Sequence, residues 1–116
     1  MSHIGGNTDA TVQIGMVQLN DLGNEVTEWE NAFPIKGFLD LANEGTNSHN
    51  LMHRVEDADY IFLCNYFAPV VGKVKLTAEN SRLIIAGEVY EVKVYDDPMN
   101  LHEHMEIYLK YMGGQS

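Results

Sequence analysis

His102 and His104 flank Glu103, and Asp96 and Asp97 stand just upstream. Alternate residues of a strand share a face, so two imidazoles beside carboxylates are the beginning of a site for a first-row divalent metal. A cupin-like, metal-dependent small-barrel enzyme would begin this way. The same letters also describe polar residues on a solvent-facing strand edge, and the spacing assigns no third or fourth ligand. His49 and His53, in a polar stretch, would either complete such a site or be solvated loop residues.

Nucleophilic chemistry has less to build on. Cys64 is the only cysteine and lies inside the apolar run Ile61-Phe62-Leu63-Cys64, so burial should hold its thiol protonated and inert. A single cysteine also excludes an internal disulfide and a multi-cysteine zinc site, and it fits synthesis in a reducing cytoplasm. The chain has no Gly-x-Ser-x-Gly elbow, no phosphate-cradling glycine loop and no His-Glu-x-x-His run. Glu28-Trp29-Glu30 and Asp96-Asp97 pair carboxylates locally, as acids in turns and on outward strand faces do without catalysis. Trp29 reads as a core residue or an interface anchor rather than a sugar platform. Nothing in the residue types requires an enzyme, a cofactor or a metal.

The elements that position these residues follow from composition and period. A chain of 116 residues with 45% hydrophobic and 21% charged residues supports one globular domain and not two. Residues 1–9 read as a flexible leader, 10–112 as the domain and 113–116 as a flexible tail. Seven Lys and Arg against 17 Asp and Glu leave a formal charge of −10, of which residues 1–58 carry −7 and residues 59–116 carry −3. Without a basic cluster, affinity cannot come from neutralising phosphates, so nucleic-acid binding as a main activity is disfavoured. The same field opposes an anionic membrane surface, and no apolar run approaches the length of a bilayer-spanning helix.

Period two dominates the pattern. Val12, Ile14 and Met16 fall on one face of an opening strand and Gln13 on the other; Asn20-Asp21-Leu22-Gly23-Asn24 supplies a turn, and Glu25–Glu30 returns. A third extended stretch covers about 33–41, where Pro34 favours an edge or a strand start because it has no amide proton. Residues 42–57 form a long polar stretch with a short apolar patch, of the kind that is functional or disordered in compact domains. Residues 58–67 read as a central strand, apolar on both faces, with Tyr60, Phe62, Cys64 and Tyr66 opposite Ile61 and Leu63. Residues 70–76 form a further short strand with Lys73 and Lys75 outward. A hairpin follows: 82–86, a Gly87-Glu88 turn, and 89–95 with Tyr90, Val92 and Val94 on one face and Val89, Glu91, Lys93 and Tyr95 on the other. The last element fits a helix through Leu101, Met105, Tyr108 and Met112, or a strand through Met105, Ile107, Leu109 and Tyr111; strand neighbours favour the strand. The sum is an all-β chain, a small antiparallel β-barrel of six or seven strands with one long loop.

The block Val89-Tyr90-Glu91-Val92-Lys93-Val94-Tyr95-Asp96-Asp97-Pro98-Met99, followed by His102-Glu103-His104-Met105-Glu106-Ile107-Tyr108-Leu109, resembles the end of tailed-bacteriophage head-closure proteins. These are also called stopper or head–tail joining proteins. The strand near Thr11, the Asp21-Leu22-Gly23 turn, the Glu28-Trp29 return and the stretch ending near Leu41 are similar to the start of that family, so the likeness spans 10–112. It implies a small antiparallel barrel that assembles as a homo-oligomeric ring beneath the portal or its adaptor, closes the DNA channel and offers a docking surface to the tail or a tail-completion protein. The implied location is the head–tail interface of a virion made in a bacterial cytoplasm. The resemblance implies a channel-facing loop with His49, Leu51, Met52, His53 and Arg54, and assembly contacts from Trp29, Val55, Asp97, Pro98 and Met99. Packaged DNA would pass close by without specific binding, and acidity would then repel phosphate from the channel wall, or merely aid solubility. The other readings are the metal-dependent barrel at His102 and His104 and a generic barrel adaptor for a peptide.

Overall fold

The computed structural model describes residues 8–41 and 58–114. The chain is all-β. Its strands are β1 (Thr8–Leu19), β2 (Glu25–Leu41), β3 (Tyr60–Asn65), β4 (Val70–Val71), β5 (Val74–Lys75), β6 (Ser81–Ile85), β7 (Glu88–Asp96) and β8 (His104–Gly114), with a 3-10 turn at Pro98–Asn100. Six of them form an antiparallel sheet in the order β1-β2-β3-β8-β7-β6, and β6 pairs back onto β1. The expected small barrel is thus realised as a closed ring of strands, with β4 and β5 as a separate two-stranded hairpin. Among the described residues no helix is long and apolar enough to cross a membrane.

Alternation builds the interior. Val12, Phe62, Leu83, Val92, Ile107 and Leu109 are each fully buried inside the closed sheet. Burial of one such side chain contributes about 1.5–3 kcal/mol, which makes this layer the main source of stability. Leu76, on the segment after β5, packs into the same cluster and ties that segment down through its amide, which donates to the Pro69 carbonyl at 2.8 Å. The reading of β3 as central and apolar on both faces holds, because Phe62 and Cys64 join the interior while Ile61 packs with Ala58 and Tyr108 in a second cluster. The C-terminal element is a strand: Met105, Ile107 and Leu109 point inward and Tyr108 packs in that second cluster.

Bulges account for part of where the alternation misleads. The register shifts between Val12 and Gln13 on β1, and on β7 between Val89 and Tyr90 and between Val92 and Val94. An extra residue reverses the faces beyond it. Beyond Val92, therefore, Tyr95 turns to the interior cluster and Val94 packs with Ile61 and Tyr108, the reverse of the simple period. Met16 is half exposed instead of sharing the core with Val12 and Ile14, because β6 stops pairing with β1 at Ile14.

Other boundaries shift for local reasons. The expected Glu25–Glu30 and 33–41 segments are one continuous 17-residue strand. Pro34 is accommodated because it faces Thr11 of β1, while pairing to β3 begins only at Gly37. Residues 70–76 form a tight hairpin rather than one strand, turning at Gly72 with φ 61°. The β6–β7 turn is Ala86-Gly87, both with positive φ (54° and 76°), and not the Gly87-Glu88 pair that the sequence pattern suggests. The strands extend the domain slightly at both ends, β1 starting at Thr8 and β8 running through Gly114.

Candidate functional site

The register puts Ile14, Asn65, Ser81, Asp96 and His104 at one end of the closed sheet, and Leu41, Tyr60, Ile85 and Gly114 at the other. The first of these ends carries the features with no structural task of their own. Past the hydrogen bond from the Gly15 amide to the Asn80 carbonyl, at 2.7 Å, β1 and β2 pair only with each other and project as a two-stranded arm. Its tip is well organised: the Asn20 side-chain oxygen accepts from the amides of Leu22 and Asn24 at 3.0 and 2.9 Å, and Gly23 takes φ 83°. Val17, Leu19 and Leu22 on this arm are 65%, 70% and 84% exposed. Residues 16–30 also contain Asp21, Glu25, Glu28 and Glu30 and no basic residue. An isolated two-stranded ribbon with free edges and exposed apolar groups gains little stability in water, so the arm depends on its root and on whatever covers it.

The root is a polar ladder across three strands. Arg82 donates through Nε to Oε1 of Gln13 at 2.8 Å, and Gln13 Nε2 donates to Oδ1 of Asn31 at 2.8 Å. The bulge at Gln13 aligns these side chains, and the pairing of their bonds is what permits a buried glutamine here. Trp29 covers the ladder, its ring 4.2 Å from the Arg82 guanidinium carbon. Gly15, the cross-strand partner of Trp29, must lack a side chain, since a β-carbon there would lie 2.9 Å from the indole ring. Trp29 is therefore an anchor at the base of the arm. Desolvation lowers the Arg82 pKa from its ordinary value.

The 96–104 connection is the second feature. Asp97 Oδ1 accepts from the His102 amide at 2.9 Å, and its Oδ2 makes a short contact with His102 Nδ1. The imidazole stacks on Tyr66, with ring centroids 4.4 Å apart and planes at 13°. This clasp holds Met99, Asn100 and His102 at φ 56–57°, a left-handed conformation that asparagine tolerates but that costs about 1 kcal/mol or more at Met99 and His102. The result is a rigid corner on which Met99 is 85% exposed. Asp97 and Pro98 are half-buried beneath it.

The two histidines do not converge. His102 is bound to Asp97, whereas His104 Nε2 faces Glu106 Oε2 at 3.3 Å. Among the described residues no three His, Cys, Asp or Glu side chains form a group able to hold a metal. Cys64 is 1% exposed, and burial pushes its thiol pKa up to about 12. Tyr95, whose hydroxyl donates to Ser81 Oγ at 2.8 Å, is also raised to about 12; burial dominates, the Ser81 bond opposes it and the nearby Cys64 adds to it. These are packed structural groups. Of the other sequence candidates, His49, Leu51, Met52, His53, Arg54 and Val55 lie outside the described residues.

Between the clasp and the β4–β5 hairpin runs an open groove of about 710 Å³, with Tyr66, Val70, Lys73, Lys75, Val94 and His102 among its lining. From the sequence pattern Lys73 and Lys75 read only as outward residues, and neither this groove nor the Arg82–Gln13–Asn31 ladder is foreseen. The run of four acids without a base through 16–30 is the available signal for an arm that stays in solvent. Compared with known proteins, the chain matches no protein-family model and no curated protein sequence.

Proposed function

We propose that this chain is a structural protein of the head-to-tail connector of a tailed bacteriophage, assembling as a ring below the portal or its adaptor, closing the DNA channel and offering the tail a docking surface. The observation that carries the reading is the projecting β1–β2 arm, acidic and apolar at once, which leaves the monomer with surface that an assembly would complete. The Asp97–His102 corner beside it adds a second rigid, exposed feature at the same end. Both lie in the segments that resemble head-closure proteins. The net charge of −10 suits a subunit near a duplex that must leave quickly, since repeated negative charge repels phosphate and a basic wall would retain it. The metal-dependent reading has less to rest on, because His102 and His104 turn to different carboxylates.

Labelled antibody against the chain, applied to particles of the phage or prophage that encodes it, tests the proposal by electron microscopy. Label at the neck, together with separate tails and DNA-leaking heads when the gene carries a nonsense codon, is the expected result. Intact tailed particles that lack the protein would overturn it.

A further inference from the structure

Three groups have no partner among the described residues: the apolar residues of the arm, its four carboxylates, and two lysines of the groove. Within those residues none of Asp21, Glu25, Glu28 and Glu30 joins an ion pair, and neither do Lys73 and Lys75. The other charges of the groove are already engaged: Lys93 is 3.1 Å from Glu91, Asp97 holds His102, and Asp96 has its own partner. What the groove offers a ligand is therefore a pair of ammonium groups beside Val70 and Val94. What the arm tip offers is Leu19 and Leu22 beside Asp21 and Glu25.

We propose that the arm tip of one copy seats in the Lys73–Lys75 groove of the next, so that the chain associates head to tail with itself. The inference rests on the ring reading above and names the contact that would build it. Charge complementarity selects this occupant over the obvious rival. Arm-on-arm pairing would set acids against acids along edges that carry no base, whereas the groove supplies opposite charge and apolar surface together. The arm extends beyond Gly15 by four more strand residues and a turn, about 15 Å at the rise of a strand, which carries its tip clear of the closed sheet. Arm and groove are different patches, so the contact is heterologous: each copy gives an arm and receives one, and the series closes into a ring where the rotation between copies divides the full turn without a rise, and runs on as a helix where it does not. Hydrophobic contact by Leu19 and Leu22 supplies the affinity, and the carboxylate–ammonium pairs set the register.

Two single-cysteine additions test it on the full chain, since the native Cys64 is buried and does not compete. A Leu22→Cys chain and a Val70→Cys chain are mixed and treated with a short bismaleimide. The expected product is a covalent dimer formed in the mixture and by neither chain alone. Adding Asp21→Lys and Glu25→Lys to the first chain should lower the yield about tenfold, and adding Lys73→Glu and Lys75→Glu to its partner should restore it. All six positions are at the surface, and unchanged circular dichroism confirms that the variants fold. Absence of the mixed product, a homodimer of Leu22→Cys alone, or a yield indifferent to charge reversal would overturn the inference. A Val70→Cys chain that cross-links to an added connector protein in place of the Leu22→Cys chain would overturn it too, by giving the groove a different occupant. A mixed product from a chain that antibody does not find at the phage neck leaves the contact standing without the connector. Labelled necks without the mixed product do the reverse.

Discussion

Gly37 is the position at which the closed sheet tolerates least change. It faces Cys64 across the β2–β3 ladder, and a β-carbon added there would overlap the Leu63 carbonyl oxygen while standing 3.0 Å from the Cys64 β-carbon. The obstacle is backbone, and β3 cannot retreat, since Leu63 and Cys64 are paired on their other side with Glu106 and Met105 of β8. Gly37→Ala must therefore pry β2 from β3. Losing one or two ladder bonds costs about 1 kcal/mol each, and overpacking costs about 1–3 kcal/mol more, so about 3 kcal/mol is expected in total. That is a large share of the roughly 5–15 kcal/mol that holds a domain of this size. Urea unfolding followed by far-ultraviolet circular dichroism should show the midpoint falling by about 2 M with the slope unchanged. Gly114→Ala is the control. A β-carbon there would meet nothing within 4 Å and the residue's φ is not positive, so its effect should stay below about 0.5 kcal/mol. Equal effects of the two substitutions would refute the reasoning.

Ala86→Asn should stabilise the protein by about 0.5–1 kcal/mol, because it places an Asn-Gly pair in a turn where alanine is held at φ 54°; a lower urea midpoint would contradict that account. Arg82→Met removes the cation over Trp29 and leaves Gln13 Oε1 without its donor, at a cost of about 2 kcal/mol. It should red-shift Trp29 fluorescence and speed amide exchange in 16–19 and 25–28, and unchanged exchange there would show that the ladder does not hold the arm. Stability should also decline in alkali. Cys64 and Tyr95 have folded pKa values near 12 against ordinary values of 9.0 and 10.0, so between about pH 9 and 12 the unfolded chain has released protons that the folded chain retains. Their contribution is complete below about pH 9 and is lost as the pH rises toward 12; Tyr95→Phe should flatten part of that decline, and an unaltered pH profile would argue against it.

Much of the fold can be read from local chemistry. The β3 segment is apolar on both faces, which only a strand covered on both sides can satisfy, and Phe62 and Ile61 duly enter different clusters. The C-terminal element fits two periods, and the strands around it decide between them, with Met105, Ile107 and Leu109 lining the interior. The candidate site is less legible. His102 and His104 look equivalent at a spacing of two, yet His102 precedes the strand at φ 57° and His104 begins it, so they turn to separate carboxylates. Spacing implies a shared face only where the backbone is extended throughout.

By itself, then, the amino-acid sequence determined the class of structure, its acidity and its buried, unreactive Cys64, because those follow from side-chain type and from the period of two. Tertiary structure alone decided which residues of a strand remain in solvent. Val17 and Leu19 have the same local character as Val12, but β6 ends its pairing with β1 at Ile14 and no described strand covers what lies beyond. The ladder of Arg82, Gln13 and Asn31 joins positions 69 and 18 residues apart, and the groove gathers lysines, a histidine and a tyrosine from separate connections. Such contacts depend on where strands start, stop and bulge, which is settled by the closure of the whole sheet and not by any segment within it.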